Sequence, residues 1–159
     1  MFAKSFFLFL FLISCLNSFA QKSKSVFLEL GGSGGLGSIN YEKCFSQKDK
    51  IAFTWRTGLS FSPVDRNNGN AIIFPLMINS IIGKSKNKLE LGIGQGISFT
   101  TKGSFFFLAL ADIGYRRQNP DKRFFYRITY TPLISYIVDL QVQHWFGFSI
   151  GYNIRKKIS

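Results

Sequence analysis

The stretch IAFTWRTGLSF, residues 51 to 61, separates by parity: Ile51, Phe53, Trp55, Thr57, Leu59 and Phe61 on one side, Ala52, Thr54, Arg56, Gly58 and Ser60 on the other. A strand points successive side chains to opposite faces, so one face here is apolar and aromatic, and the other is small, polar and charged. Which face meets water decides between a soluble domain and a membrane protein.

The same pattern recurs along the chain. Segments of about ten alternating residues, each followed by a polar connection, predict eight strands at 25–31, 36–45, 50–61, 71–82, 88–99, 104–116, 123–134 and 143–154. The connections GSGG, SQKD, SPVDRNNGN, GKSKN, TTKG, RQNPDK and SYIVDLQVQ are rich in turn formers, with 62–70 and 135–142 the longest. In LELGIGQGISF, Leu89, Leu91, Ile93, Ile97 and Phe99 oppose Glu90, Gly92, Gly94, Gly96 and Ser98. In HWFGFSIGYNI, Phe146, Phe148, Ile150, Tyr152 and Ile154 oppose Trp145, Gly147, Ser149, Gly151 and Asn153. Pro75, inside AIIFPLMINSII, cannot donate to a ladder and predicts a bulge.

If the apolar face turned inward, as in a soluble lipocalin-like barrel, the water-facing side would consist of Ala, Thr, Gly, Ser and a few charges. Water-facing surfaces normally carry abundant Lys and Glu, and glycine is a poor exposed strand residue. Inverting the barrel removes both anomalies: the apolar side meets lipid, and the small polar side fits the narrow interior that eight strands leave. Segments of 10 to 12 residues suit tilted transmembrane strands, and the sheet must close because hydrocarbon offers its edges no partner. Tyr41 and Phe45, Trp55 and Phe61, Phe99 and Phe105, Tyr126 and Tyr130, and Tyr152 fall near strand ends on the outward parity, where interfacial girdles sit. Phe53, Phe146 and Phe148 share that outward parity. The fold class is therefore all-β: a single antiparallel up-and-down transmembrane barrel of about eight strands.

The N-terminus reads as a secretory signal. In MFAKSFFLFLFLISCLNSFAQ, Lys4 precedes an apolar run from Ser5 to Ile13, and Ser18-Phe19-Ala20 offers small residues at the cleavage spacing. The domain reading is a signal peptide at 1–20 and a barrel domain at 21–159. Leu12-Ile13-Ser14-Cys15 also resembles a lipobox, the alternative in which Cys15 is lipidated. With Cys15 removed, Cys44 stands alone and cannot form a disulfide within the chain. Removal of Lys4 leaves 19 basic and 8 acidic residues, a mature net charge of +11. These bases collect in the connections and in Arg155-Lys156-Lys157, which fits solvated turns facing anionic lipid head groups better than nucleic acid.

The early ELGGSGGLGSINYEKCF, the eight alternating segments and the closing GFSIGYNI resemble the small eight-stranded bacterial outer-membrane barrel proteins, the OmpA/OmpX-like barrels of the porin-like superfamily. The resemblance covers the mature chain and rests on pattern more than on one motif. It implies residence in the outer membrane of a bacterium with two membranes, contact with outer-membrane lipids, and engagement of the barrel-assembly machinery during biogenesis. Members commonly end in an aromatic residue read by that machinery. Here Gly147, Ile150 and Tyr152 stand at roughly that spacing, and the chain then continues to Ile154 and a basic tail.

Candidate chemistry is sparse. Gly32-Ser33-Gly34-Gly35-Leu36-Gly37 fits G-x-G-x-x-G, but a strand rather than a helix follows, so no helix N-terminus holds a pyrophosphate and a Gly-rich hairpin is expected. His144 is the sole histidine; Ser149 lies on the opposite parity about 17 Å along the strand, and Ser104 or Ser135 would have to approach from neighbouring strands. No cofactor, metal site or catalytic residue is expected, and a lipid-modifying enzyme is an outsider. Glu29, Glu42, Glu90 and Asp112 share the inward parity with Arg56, Arg116 and Arg127. In a narrow interior these charges are expected to pair as a network that closes the lumen. The expectation is a structural or interaction barrel. Its alternatives are a narrow channel for ions or small solutes, and a soluble barrel binding a hydrophobic ligand.

Overall fold

The computed structural model describes residues 23–65, 69–135 and 141–154. The expected signal peptide, Cys15, the tips of the two long connections and the Arg155-Lys156-Lys157 tail lie outside the described residues.

Eight strands close on themselves in sequence order: β1 (Lys24–Leu30), β2 (Gly37–Lys48), β3 (Ile51–Asp65), β4 (Gly69–Ile82), β5 (Asn87–Thr100), β6 (Phe105–Gln118), β7 (Phe124–Ser135) and β8 (Gln141–Ile154). Every neighbouring pair is antiparallel, and β1 pairs with both β2 and β8, so no ladder edge stays open. From Val26, the register runs through Tyr41, Thr57, Leu76, Gln95, Ala109, Ile134 and Val142. Extending the β1–β8 register, in which Leu30 faces Phe148, puts Val142 level with position 36, a stagger of ten residues from Val26. That stagger, across eight strands, tilts them by about 40°.

Parity holds round the whole wall. Among the described residues 21 polar or charged side chains are buried against 9 hydrophobic ones, while 29 large hydrophobics are exposed. The solvent-facing belt is therefore apolar and the interior polar, the reverse of a water-soluble core. Ile93 and Phe146, both in the interior of their strands β5 and β8, are 70% and 73% exposed.

Three local expectations are corrected. The register runs unbroken past Pro75, which faces inward and merely interrupts the β3–β4 ladder; the bulges lie at Cys44/Ser46 and Pro63/Asp65. A proline lacking only its own donor removes one rung without inserting a residue. The connection expected at 62–70 is mostly strand, since Ser62 pairs with Ala71 and Pro63 with Asn70. The GSGG connection is no simple hairpin. It forms a 3₁₀ turn, Gly32–Gly34, that folds into the barrel mouth with Gly32, Ser33, Gly34 and Gly35 all buried.

Candidate functional site

The seven inward charges form one alternating chain. Asp112 pairs with Arg56 (3.0 Å), Arg56 with Glu29 (3.9 Å), Glu29 with Arg127 (2.7 Å), Arg127 with Glu90 (2.7 Å), Glu90 with Arg116 (3.3 Å) and Arg116 with Glu42 (2.8 Å). Arg56 and Arg127 have no exposed surface. Each of the three arginines lies between two carboxylates, which offsets desolvation far better than a single pair does.

Neutral polar side chains complete the chain. Asn79 donates to Glu90 (2.8 Å) and Asp112 (3.4 Å), Ser25 and Thr54 donate to Glu42, and Ser149 accepts from Arg127 Nε at 3.3 Å. With Asn79 on β4 and Ser149 on β8, every strand contributes at least one member, so the network ties the register of the whole circumference. Room for it comes from glycine: a Cβ at Gly92 would fall 2.3 Å from Asp112 Oδ1.

The in-folded turn joins the network at the far end. Ser33 donates to Glu29 (3.0 Å) and accepts from Arg56 Nη2 (3.1 Å), while Ser60 donates to the Gly34 carbonyl. Gly31 and Gly35 hold φ of 73° and 78°, and a Cβ on Gly31 would overlap the Phe146 carbonyl. L-residues avoid that backbone region, so the glycine string is what lets the turn enter.

Sequence reasoning missed three features. Phe27 and Phe125 point inward and pack edge to face at 6.0 Å. The Arg116 guanidinium lies 3.9 Å from the Phe125 ring centroid and that of Arg127 4.4 Å from Phe27, so aromatic faces cover the cations where carboxylates do not. Beyond the charges, Met77, Leu110 and Leu133 form an apolar plug joined by Leu108 and Trp145. Lys88, the first residue of the strand expected at 88–99, sits half-buried on the inward parity of β5, within electrostatic range of Glu42 and Arg116. Four inward acids thus face four bases. Its parity with Glu90 was the available signal.

Outside, Tyr41 packs against Trp55 (5.4 Å), Phe45 against Phe53 (6.3 Å), Phe99 against Phe105 (5.1 Å), Tyr130 against Phe146 (5.3 Å) and Phe124 against Tyr152 (5.3 Å). Phe61, Tyr126 and Phe148 are exposed on the same outward face. His144 is exposed and shares a 2.6 Å hydrogen bond with Tyr130 Oη, which places a phenol rather than a serine at its Nδ1. Among the described residues no group of three metal-ligating side chains converges.

No family model matches the sequence, and no curated protein matches it. One solved structure does: the N-terminal β-barrel domain of Pseudomonas aeruginosa OprF, with a TM-score of 0.56 and 10% identity over 84% of this chain and 96% of that one. The fold is that of the eight-stranded OprF barrel domain. At 10% identity the likeness is one of fold.

Proposed function

We propose that the protein is an integral outer-membrane barrel of structural or interaction type, exported by its N-terminal signal, with its lumen closed and without catalysis. One observation carries the reading: the closed wall exposes a continuous apolar belt and buries its charges. Such a surface is stable in hydrocarbon and unstable in water. The shared fold with the OprF domain supports it. On this reading the termini and the tight Lys-rich turns lie on the periplasmic side, and the connections after β3 and β7 face outward, where a partner would bind.

Closure rests on three stacked obstructions: the ion-pair chain, the apolar plug around Met77, and the in-folded 3₁₀ turn. Mature protein recovered from membranes, or refolded in detergent, is compared unheated and boiled on a dodecyl sulfate gel. A heat-dependent mobility shift supports the closed, detergent-resistant barrel. A protein that stays soluble without detergent and shows no shift refutes it. Silence in planar bilayers supports closure; steady unitary conductance favours the narrow-channel alternative.

A further inference from the structure

The lumen answers the chain's acids and leaves most of its bases elsewhere. At the barrel end where β1 begins and β8 stops, Lys48, Lys50, Lys84, Lys86, Lys122 and Arg123 stand exposed in or beside the three tight turns. Asp49 and Asp121 are the exposed acids among them. At the opposite end Lys102 is the exposed base among residues whose side chains are described. So large an imbalance on one rim gives that rim a strong positive potential.

Its position relative to the apolar belt narrows the partner. The turns are spread around the circumference, between β2 and β3, β4 and β5, and β6 and β7. Just inside them runs an aromatic band: the register sets outward Arg117 opposite Tyr126 and half-buried Lys43 opposite Trp55. Arg123 donates to Tyr152 Oη at 2.5 Å with its guanidinium carbon 5.8 Å from that ring. The turns are also braced, Gln118 N–H donating to the Lys86 carbonyl (2.7 Å) and Gly83 N–H to that of Lys50 (2.7 Å). A ring of bases held directly beyond interfacial aromatics lies where lipid phosphates do.

We propose that this turn-side rim binds anionic phospholipid head groups of the phosphatidylglycerol class, concentrating them around the barrel in the leaflet it faces. The proposal rests on the membrane reading above. A lipid phosphate there meets one or two bases, and the attraction, screened by salt, enriches anionic over zwitterionic lipid about threefold at the barrel wall.

Tryptophan fluorescence tests it. Trp55 faces outward on the turn-side half of the belt, while Trp145 packs inside with the apolar plug. W145F leaves Trp55 as the sole reporter, and the wild type gives the same comparison over an unquenched background. Either protein is refolded into vesicles containing brominated phosphatidylcholine or brominated phosphatidylglycerol. Stronger quenching by the glycerol lipid is expected, lost at about 0.5 M salt and in K48Q/K50Q/K84Q/K86Q/K122Q, which spares ladder and lumen. Equal quenching by both lipids, or enrichment retained in that variant, overturns the rim proposal while the membrane reading stands. No quenching by either lipid overturns both.

Discussion

Replacing Arg56 by Met tests the interior most directly. Arg56 is fully buried and is the one cation within 4 Å of Asp112 among the described ion pairs. Once it is gone, Asp112 retains a single weak hydrogen bond, from Asn79 at 3.4 Å, and its Oδ1 is unpartnered already. Glu29 fares better, keeping Arg127 at 2.7 Å and donors in Ser33 and Ser38. Breaking a buried pair by removing one partner costs about 3–5 kcal/mol, and one nearly bare carboxylate puts R56M near 4 kcal/mol. With a urea dependence of roughly 2 kcal/mol per molar, the unfolding midpoint in detergent falls by about 2 M. Neutralising the orphan should recover most of the loss, so R56M/D112N is expected to regain more than half of the shift. An unchanged midpoint in R56M, or no recovery in the double variant, would refute the account of the network as a paired, register-fixing chain. R127M, which leaves Glu90 with Arg116 and Asn79, should cost less than R56M in the same assay.

Placing a charge on the belt tests its environment: I93R, mid-belt and 70% exposed, should lower stability by about 2–4 kcal/mol in a bilayer, whereas on a water-facing wall it would be neutral. Equilibrium unfolding from vesicles reads the difference. G151A drives a methyl to within 2.1 Å of the Phe125 ring, which neighbouring Phe27 and Arg116 hold in place; overpacking of this kind costs about 1–3 kcal/mol, measured as a lowered urea midpoint. G34V sets new atoms against Ser60 and Ser38 and should expel the 3₁₀ turn from the mouth. Planar-bilayer recordings should then show brief openings absent from the wild type, and continued silence would mean that the ion-pair chain and apolar plug close the lumen without the turn.

Period-two alternation made the strands legible from the sequence, because parity is a local property that survives any packing. All eight appear within a few residues of their expected positions, and Arg56 and Trp55 lie on the sides their parity assigned. The seven inward charges were legible for the same reason. Their order along the chain was not: Arg127 reaches Glu29 across 98 residues of sequence, a contact fixed by closure and stagger of the barrel. The in-folded glycine turn and the Phe125 and Phe27 faces over the guanidinia were likewise decided in three dimensions. Each depends on which strands meet across a narrow lumen. The amino-acid sequence by itself determined which residues face outward and which face inward, and the tertiary structure alone decided which of the inward ones meet, because alternation is set residue by residue whereas proximity across a barrel is set by its shear.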